Sequence, residues 1–440
     1  MTLILSIICL AGFAYWIWKI FFTPFDNQRI FRIDENDSRL FIMSKEMYFV
    51  IFTVCTAPFF LSSLSLAKYG LWFLVLCLLI VYKRITPRWE IITLSYGLFF
   101  CWLFISFLTS PAKYEGFMLL IKYSIPILFL WLGFSAIDDE YSLFIFLKRV
   151  FVAIIVYAFL IGGFSAQFMP WLYYSPFGGG VFLTYAGFAD YLTSLFVIPL
   201  ILFGLTKKPM YLWGALWLLL STILEAVRTG LGGMFLVTVF ASFLWYKIKS
   251  VPFIAIAVLI ALAIVLYVPE VNRKFFMDKA GKVTSKDIIE KDAMSLDKIG
   301  TSGRTAMWEA ILKKYHKPKP FTGSGLGIAM RQMRQWNQSK GMAALIHNDY
   351  VQILSETGYI GIFLISVFYM VLLLKAGTYI FMPSCSSRTK IAGIMAVSSM
   401  AGIAFSMGFD NVVSHSMTSL IMPFIFTGFF LKFVDSEKTI

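Results

Sequence analysis

Long apolar segments recur along almost the whole chain and are separated by short polar breaks. An α-helix needs about 20 predominantly apolar residues to cross the hydrocarbon core of a bilayer. The chain has 440 residues, of which 59% are hydrophobic and only 14% are charged. An ordinary soluble domain has about 25% charged residues, so these charges are too few to cover a soluble protein of this length. The pattern predicts an all-α polytopic membrane protein and excludes a soluble enzyme, a coiled coil and a disordered chain.

Thirteen apolar segments are candidates for membrane spans, although the third is short and can be a tilted or half-buried piece. The predicted spans are residues 2–22, 47–66, 69–82, 91–109, 117–136, 150–169, 185–205, 210–224, 230–246, 251–269, 355–374, 391–409 and 415–433. The hydropathy therefore predicts about 12–13 transmembrane helices.

The basic residues test this arrangement. The net charge is +14, from 38 Lys+Arg against 24 Asp+Glu. If residues 23–46 face the cytoplasm and the sides alternate, the short loops on the opposite side hold only Lys68, Lys113 and Arg228. An excess of Lys and Arg in cytoplasmic loops is the rule for membrane proteins, so the orientation follows from the charges. The positive charge then needs no nucleic-acid partner.

One polar segment, residues 270–347, is much longer than the other connections and is predicted to face the periplasm. It carries 15 Lys+Arg and 7 Asp+Glu, and long loops translocate regardless of their charge. A loop of this length is more than a connector. The sequence is therefore divided into an N-terminal bundle of about ten helices (1–269), a large periplasmic loop (270–347), and C-terminal helices with a short cytoplasmic tail (348–440).

Charged residues at membrane depth are costly and usually face a cavity or a partner. Glu225 and Arg228 are three residues apart and would share a helix face. They can form a structural ion pair, or Arg228 can line an outward-facing site for an anion. Asp190 and Asp410 are expected to bind partner side chains or to cap helices, and Lys122 is expected to extend its amine toward the interface.

The chain has three histidines, His316, His347 and His415. His316 lies among four lysines and is interpreted as a solvated surface residue. His347 is placed where the long loop re-enters the membrane, and on a helix it would share a face with Tyr350, with Asp349 beside them. A neutral imidazole there can act as a general base on a sugar hydroxyl. The alternative interpretation is a histidine that only caps the helix.

Three arginines of the loop are candidate phosphate ligands, because a guanidinium binds phosphate with two hydrogen bonds. Arg304 lies in the segment Gly303–Trp308, and Arg331 and Arg334 are three apart on a short basic helix. Arg331 and Arg334 can clamp a diphosphate, although a solvated helix face or contact with lipid headgroups is favoured. The five cysteines form no CxxC pair, and there is no HExxH or Walker motif, so neither a metal site nor a cofactor is predicted.

Four elements in a fixed order carry a family resemblance. They are Arg228 after a span, Arg304 in the loop, the glycine-rich segment Pro320–Gly327, and the run His347–Gly358 that leads directly into a span. In this order they resemble the O-antigen ligase and O-antigen polymerase superfamily of bacterial membrane glycosyltransferases. The resemblance covers about residues 225–375. It departs from the family pattern where Val227, rather than a serine, precedes Arg228.

The resemblance implies a helical GT-C-like fold in the bacterial inner membrane, with the active site on the periplasmic side. Members transfer glycans from undecaprenyl diphosphate without a metal or another cofactor. By this resemblance Arg228 and Arg304 bind the diphosphate, and His347 activates the acceptor hydroxyl. Arg331, Arg334, Asp349 and Tyr350 are secondary candidates.

The implied partners are membrane lipids, an undecaprenyl-diphosphate-linked glycan and an acceptor glycan. The acceptor is a carrier-linked repeat unit for a polymerase, which is the favoured interpretation, or lipid A core for a ligase. A polysaccharide flippase is a further alternative. It would be expected to spread its charges along helices at the bilayer midplane, whereas here the outward-facing charges concentrate in one loop.

Overall fold

The computed structural model describes residues 45–57, 72–81 except 75 and 78, 84–160, 185–225, 227–267, 304–340, 346–415 and 417–438. Within these residues the regular structure is entirely helical. The predicted span 2–22 and the Lys- and Asp-rich first half of the long loop lie outside the described residues.

The helices are numbered here in chain order. They are α1 (Lys45–Thr56), α2 (Trp72–Val81), α3 (Ile91–Thr109), α4 (Lys113–Ala136), α5 (Glu140–Leu160), α6 (Tyr185–Leu195), α7 (Val197–Thr206), α8 (Pro209–Glu225), α9 (Arg228–Tyr246), α10 (Val251–Tyr267), α11 (Arg304–Ile311), α12 (Ile328–Lys340), α13 (Asp349–Phe381), α14 (Ser387–Met407), α15 (Val412–His415) and α16 (Met417–Glu437). A 3₁₀ turn, Lys247–Ser250, precedes α10, and a π-helical turn, Leu312–His316, follows α11.

The described residues contain 8 helices that are long and apolar enough to cross a membrane. They are α3, α4, α5, the continuous pair α6 and α7, α9, α13, α14 and α16. The shorter helices α2, α8 and α10 are also apolar. Every predicted span that falls on described residues coincides with a helix. The prediction of an all-α polytopic membrane protein is confirmed.

The predicted start of the sixth span, 150–169, is wrong, because the helix begins ten residues earlier. Helix α5 begins at Glu140, because Asp139 Oδ1 accepts hydrogen bonds from both the backbone nitrogen and the hydroxyl of Ser142, each at 2.8 Å. Lys148 and Arg149 therefore lie inside α5 instead of preceding it. Long basic side chains are compatible with this position because their apolar stems can carry the charge toward an interface.

The core of the bundle is a row of packed helices. Helix α16 packs along α4 and α14, α14 also packs on α9, and α13 packs on α3 and α14. A Cβ atom on Gly133 would lie 2.5 Å from the Ile425 carbonyl oxygen, and one on Gly428 would lie 2.2 Å from that of Leu130. Small residues let helix backbones approach this closely, which is the usual basis of packing between membrane helices.

The bundle has two distinct ends. The segment 304–340 lies at one of them, called the loop end here, where Leu326 and Arg331 bond to the backbone beside the α3–α4 turn. The other, called the far end, holds several ion pairs between helices. These pairs are Lys375–Glu90, Arg88–Asp435 and Arg84–Glu46. Their basic members all belong to segments that the charge pattern predicts to face the cytoplasm.

Helix α13 is broken at Gly358, whose backbone has φ 69° and ψ −165°. An intact helix would bond the Tyr359 and Ile360 nitrogens to the Ser355 and Glu356 carbonyls. Here Tyr359 and Ile360 donate instead to the carbonyls of Pro320 and Phe321, at 2.8 and 3.2 Å.

The freed carbonyls are also occupied. Ser355 O accepts from the Ser324 nitrogen and Glu356 O from the Gly325 nitrogen, both at 3.0 Å. Thr357 O accepts from Trp102 Nε1 of α3 at 2.9 Å. The segment Pro320–Gly327, called the glycine loop here, therefore replaces the missing helical hydrogen bonds one for one. This pairing fixes the loop against α13.

The glycine loop also leads directly into α12. Glu356 Oε1 accepts a hydrogen bond from the backbone nitrogen of Ala329, the second residue of α12, at 3.1 Å. A carboxylate at a helix N-terminus satisfies backbone nitrogens that have no partner inside the helix. The α13 break and the start of α12 thus form one connected unit.

We predict that Gly358→Ala destabilises the protein, whereas Gly377→Ala, in the same helix, does not. An alanine at 358 would keep φ 69° and ψ −165°, a backbone region that is essentially restricted to glycine and costs about 1–3 kcal/mol, and its Cβ would lie 2.2 Å from the Phe321 carbonyl oxygen. A Cβ on Gly377 meets nothing within 4 Å. The measurement is the midpoint of thermal unfolding in detergent. Equal midpoints for the two variants would show that the break does not depend on glycine.

Candidate active site

Four chain segments that are far apart in sequence meet at the loop end. Arg228 begins α9 and Arg304 begins α11. His347 lies just before α13, and Asp410 lies in the connection that follows α14. The sequence singled out all four residues separately.

His347 and Asp410 form a close pair. The His347 Nδ1 atom lies 3.1 Å from Asp410 Oδ1. The carboxylate is almost fully buried, with 4% of its side chain exposed, whereas the imidazole is 22% exposed. An imidazole held by a buried carboxylate at one nitrogen, and open to solvent elsewhere, has the arrangement of a general base.

The backbone around the pair is fixed by two asparagines. Asn348 caps α13, because its side-chain oxygen accepts from the Val351 nitrogen at 2.9 Å. The Asn348 nitrogen donates in turn to Asn411 Oδ1 at 3.0 Å. Asp410 Oδ1 accepts a second hydrogen bond from the Asn411 nitrogen at 2.8 Å. These bonds join the start of α13 to the α14–α15 connection.

The predicted helical face shared by His347 and Tyr350 is wrong. Helix α13 begins at Asp349, and His347 precedes it with a left-handed backbone, φ 55°. The Tyr350 hydroxyl donates to the Ala404 carbonyl at 2.7 Å, and Asp349 Oδ2 accepts from the Val413 nitrogen at 3.1 Å. Both side chains attach the first turn of α13 to neighbouring segments. The Asn348 cap is the physical reason that the helix excludes His347.

Arg304 is attached to the α14–α15 connection, and Arg228 lies within electrostatic range of Arg304. Arg304 donates from Nη1 to the Phe409 carbonyl at 2.9 Å, and it interacts electrostatically with Asp410. Burial lowers the pKa of Arg304, and the charge of Asp410 acts in the opposite direction. Arg228 and Arg304 repel each other electrostatically. Two like charges that interact with each other favour the binding of an anion near them.

Glu225 and Arg228 do not share a helix face, contrary to the sequence prediction. Glu225 ends α8 and Arg228 begins α9, and Val227 between them is extended, with φ −91° and ψ 100°. The chain turns at this point from one apolar helix into the next. Arg228 therefore belongs to the N-terminus of α9, at the loop end.

Arg331 and Arg334 contact the α3–α4 turn. Arg331 Nη1 donates to the Pro111 carbonyl at 3.1 Å. Arg334 Nη1 lies 3.0 Å from Glu115 Oε1, and its guanidinium stacks over the Tyr114 ring at 5.4 Å. These contacts attach α12 to the bundle, so both arginines have a structural role.

Two further ionisable groups interact with the acidic residues of the site. Asp190 in α6 is 0% exposed and interacts electrostatically with Asp410 and Asp349. Lys122 in α4 interacts with Asp349. Lys122 is therefore close to an acidic group of the site, which its sequence position did not indicate.

The interpretation of His316 as a solvated residue is wrong. It is 8% exposed, and its ring packs edge-on against Tyr359 with 4.8 Å between ring centres. The lysines around it, Lys313, Lys314, Lys317 and Lys319, are exposed. The π-helical turn directs His316 inward while its neighbours stay in solvent, so a lysine-rich context was a misleading signal.

Sequence analysis missed Asn411 and the pairing of His347 with Asp410. A signal for both was present in the dipeptide Asp410–Asn411, which directly follows an apolar span. In the described part of the chain, no group of three or more His, Cys, Asp or Glu side chains is arranged to hold a metal ion.

The family model described as O-antigen ligase matches residues 213–366. The resemblance to the O-antigen ligase and polymerase superfamily is confirmed. The matched region is about a third of the chain and includes Arg228, Arg304, the glycine loop and His347, whereas Asp410 lies beyond it. Members of this family are enzymes of the glycosyltransferase or ligase type. No curated protein sequence matches the chain.

We predict that Arg228→Lys and Arg304→Lys weaken diphosphate binding, whereas Arg331→Lys does not. A lysine keeps the charge but loses the two-pronged hydrogen bonding of a guanidinium. The expected loss is about tenfold for each of the first two, because a hydrogen bond to a charged group contributes about 1.5–3 kcal/mol. The measurement is calorimetric titration of the purified chain with farnesyl diphosphate. Equal affinities for all three variants would remove Arg228 and Arg304 from the anion site.

Proposed function

We propose that the chain is a glycosyltransferase that moves an undecaprenyl-diphosphate-linked glycan onto a sugar hydroxyl at the periplasmic face of the inner membrane. Within this class we propose a polymerase of O-antigen or a related surface polysaccharide. The observation that carries the proposal is the His347–Asp410 pair, 3.1 Å apart, beside Arg304 and Arg228 at one end of a membrane bundle.

His347 acts on the acceptor in this proposal. With hydrogen on Nδ1, the imidazole donates to Asp410 and presents Nε2 as a base. Nε2 takes the proton of the acceptor hydroxyl while the hydroxyl oxygen bonds to the anomeric carbon of the donor glycan. The charge of Asp410 stabilises the imidazolium that forms, so Asp410 is a positioning residue.

Arg228 and Arg304 act on the leaving group. The bond between the anomeric carbon and the diphosphate breaks, and its electron pair leaves on the diphosphate oxygen. Preorganised positive charge beside that oxygen lowers the barrier. The two guanidinium groups supply this charge from the protein itself, so the proposed reaction needs no metal or other cofactor.

The proposed location follows from the two ends of the bundle. The basic residues of the far end, such as Arg88 and Lys375, match the side that retains Lys and Arg in membrane proteins. Residues 304–340 and the candidate site lie at the opposite end, which is the periplasmic side in this orientation. A carrier lipid in the membrane can present its diphosphate to a site at this end of the bundle.

The ligase is the second candidate, and the description of the matched family model favours it. Polymerase and ligase break the same bond to the carrier diphosphate, and they differ in the acceptor. A polymerase uses a carrier-linked repeat unit, and a ligase uses lipid A core. The proposed roles of His347 and the arginines are the same for both.

We predict that His347→Ala abolishes detectable glycan transfer and that Asp410→Asn reduces it by about 10²-fold. A general base contributes about 10²–10⁴-fold, and Asp410→Asn keeps an oxygen toward Nδ1 but loses the charge. The measurement is the amount of surface polysaccharide made by each variant, at equal membrane levels of protein. Lys317→Ala, an exposed residue of the same segment, is the control and is expected to retain full transfer. If His347→Ala makes as much surface polysaccharide as the wild type, His347 is not the general base.

We predict that deletion of the gene distinguishes the two acceptors. If the chain is a polymerase, the deletion strain carries single repeat units on lipid A core, because ligation continues without chain extension. If it is a ligase, full-length polymer accumulates on the carrier lipid. Electrophoresis of the lipopolysaccharide and of the extracted carrier lipid separates these results. An unchanged polysaccharide would contradict both.

A further inference from the structure

An apolar cavity of about 650 Å³ lies among α7, α8, α9 and α10. Its wall includes Phe203 of α7, Leu216 of α8, Leu231 and Trp245 of α9, and Ile260 of α10. Pockets that bind small molecules have volumes of about 300–1,000 Å³, so this one has the size of a ligand site. It is separate from the His347–Asp410 pair, because neither His347 nor Asp410 lines the cavity.

The cavity is long and opens to the side of the bundle. Its lining runs along α9 from Leu231 to Tyr246, a distance of about 22 Å at the helical rise per residue. Leu216, Ile256 and Ile260 on its rim are 43%, 54% and 47% exposed. In a membrane this open side faces the lipid chains. A long apolar ligand can therefore enter from the bilayer without crossing the protein.

A cation lies at the far end of this groove. Lys207 is part of the lining, and its amine donates to the Tyr246 hydroxyl at 3.3 Å and lies 5.5 Å from the centre of that ring. The turns on this side of the same helices also carry Lys208, Lys247 and Lys249. Within the described part of the chain, no acidic residue lines the groove and no carboxylate forms an ion pair with Lys207.

We propose that this groove binds one anionic phospholipid, with an acyl chain along α9 and the phosphate at Lys207. The length and apolar lining of the groove fit a lipid chain, and the cation that lines its end, Lys207, selects a negatively charged headgroup. The headgroup is placed in the leaflet on the far side of the bundle. The carrier diphosphate is a poorer fit to this groove, because Arg228 lies at the opposite end of α9 and does not line it.

Trp245 makes the site measurable, because it lines the groove and bromine atoms on an acyl chain quench tryptophan fluorescence on contact. The full chain is purified in detergent and titrated with phosphatidylglycerol or phosphatidylcholine that carries the same brominated chains. The contribution of Trp245 is the difference between the wild-type protein and Trp245→Phe. We expect phosphatidylglycerol to quench this contribution at several-fold lower concentration than phosphatidylcholine.

Two variants and one matched control test the parts of the proposal separately. Lys207→Gln should weaken phosphatidylglycerol binding about fivefold, which corresponds to one Lys beside an anionic lipid, and should leave phosphatidylcholine unchanged. Lys208→Gln, the neighbouring lysine outside the lining, is the matched control and should change neither lipid. Thr238→Phe, which fills the groove away from Lys207, should remove the quenching of Trp245 by both lipids.

Three results would overturn the proposal. Equal affinity for the two lipids would show that no headgroup is selected. Quenching that is unchanged in Trp245→Phe would show that the lipid binds elsewhere. Displacement of the brominated lipid by farnesyl diphosphate, weakened by Arg228→Gln and not by Lys207→Gln, would assign the groove to the carrier lipid instead.

Discussion

The backbone groups released where α13 breaks at Gly358 must find hydrogen-bond partners, because a buried or membrane-embedded backbone cannot leave them unpaired. The glycine loop supplies these partners through Pro320, Phe321, Ser324 and Gly325. The break shortens the part of α13 that has to span the bilayer, and it leaves the first turns of the helix at the loop end. His347 lies at this same end, two residues before α13.

The candidate active site is assembled from separate segments that are held by backbone contacts. Arg304 is attached to the α14–α15 connection through the Phe409 carbonyl, and Asn348 is attached to Asn411. As a result the same short connection fixes both the arginine and the histidine relative to Asp410. A change in the packing of α14 would therefore move His347 and Arg304 together.

Hydropathy and charge predicted the helices well, because lipid requires long apolar segments and each of them is a local signal. Sequence reasoning also singled out His347, Arg228 and Arg304 one by one, with roles that the family resemblance implies. It could not find the pairing of His347 with Asp410, since 63 residues of chain separate them and only the packing of α13 against α14 brings them together. The local sequence was also misleading for His316, because the π-helical turn directs its side chain inward while the neighbouring lysines stay exposed.

The central claim is that His347 activates a sugar hydroxyl against a lipid-diphosphate-linked glycan. The most direct measurement uses the purified full chain with a lipid-diphosphate-linked glycan and an acceptor glycan, and it counts both transferred glycan and released lipid diphosphate. The account predicts one lipid diphosphate released for each new glycosidic bond, at a rate that falls by about 10²–10⁴-fold in His347→Ala. Transfer by His347→Ala at the wild-type rate and with the same stoichiometry would contradict it.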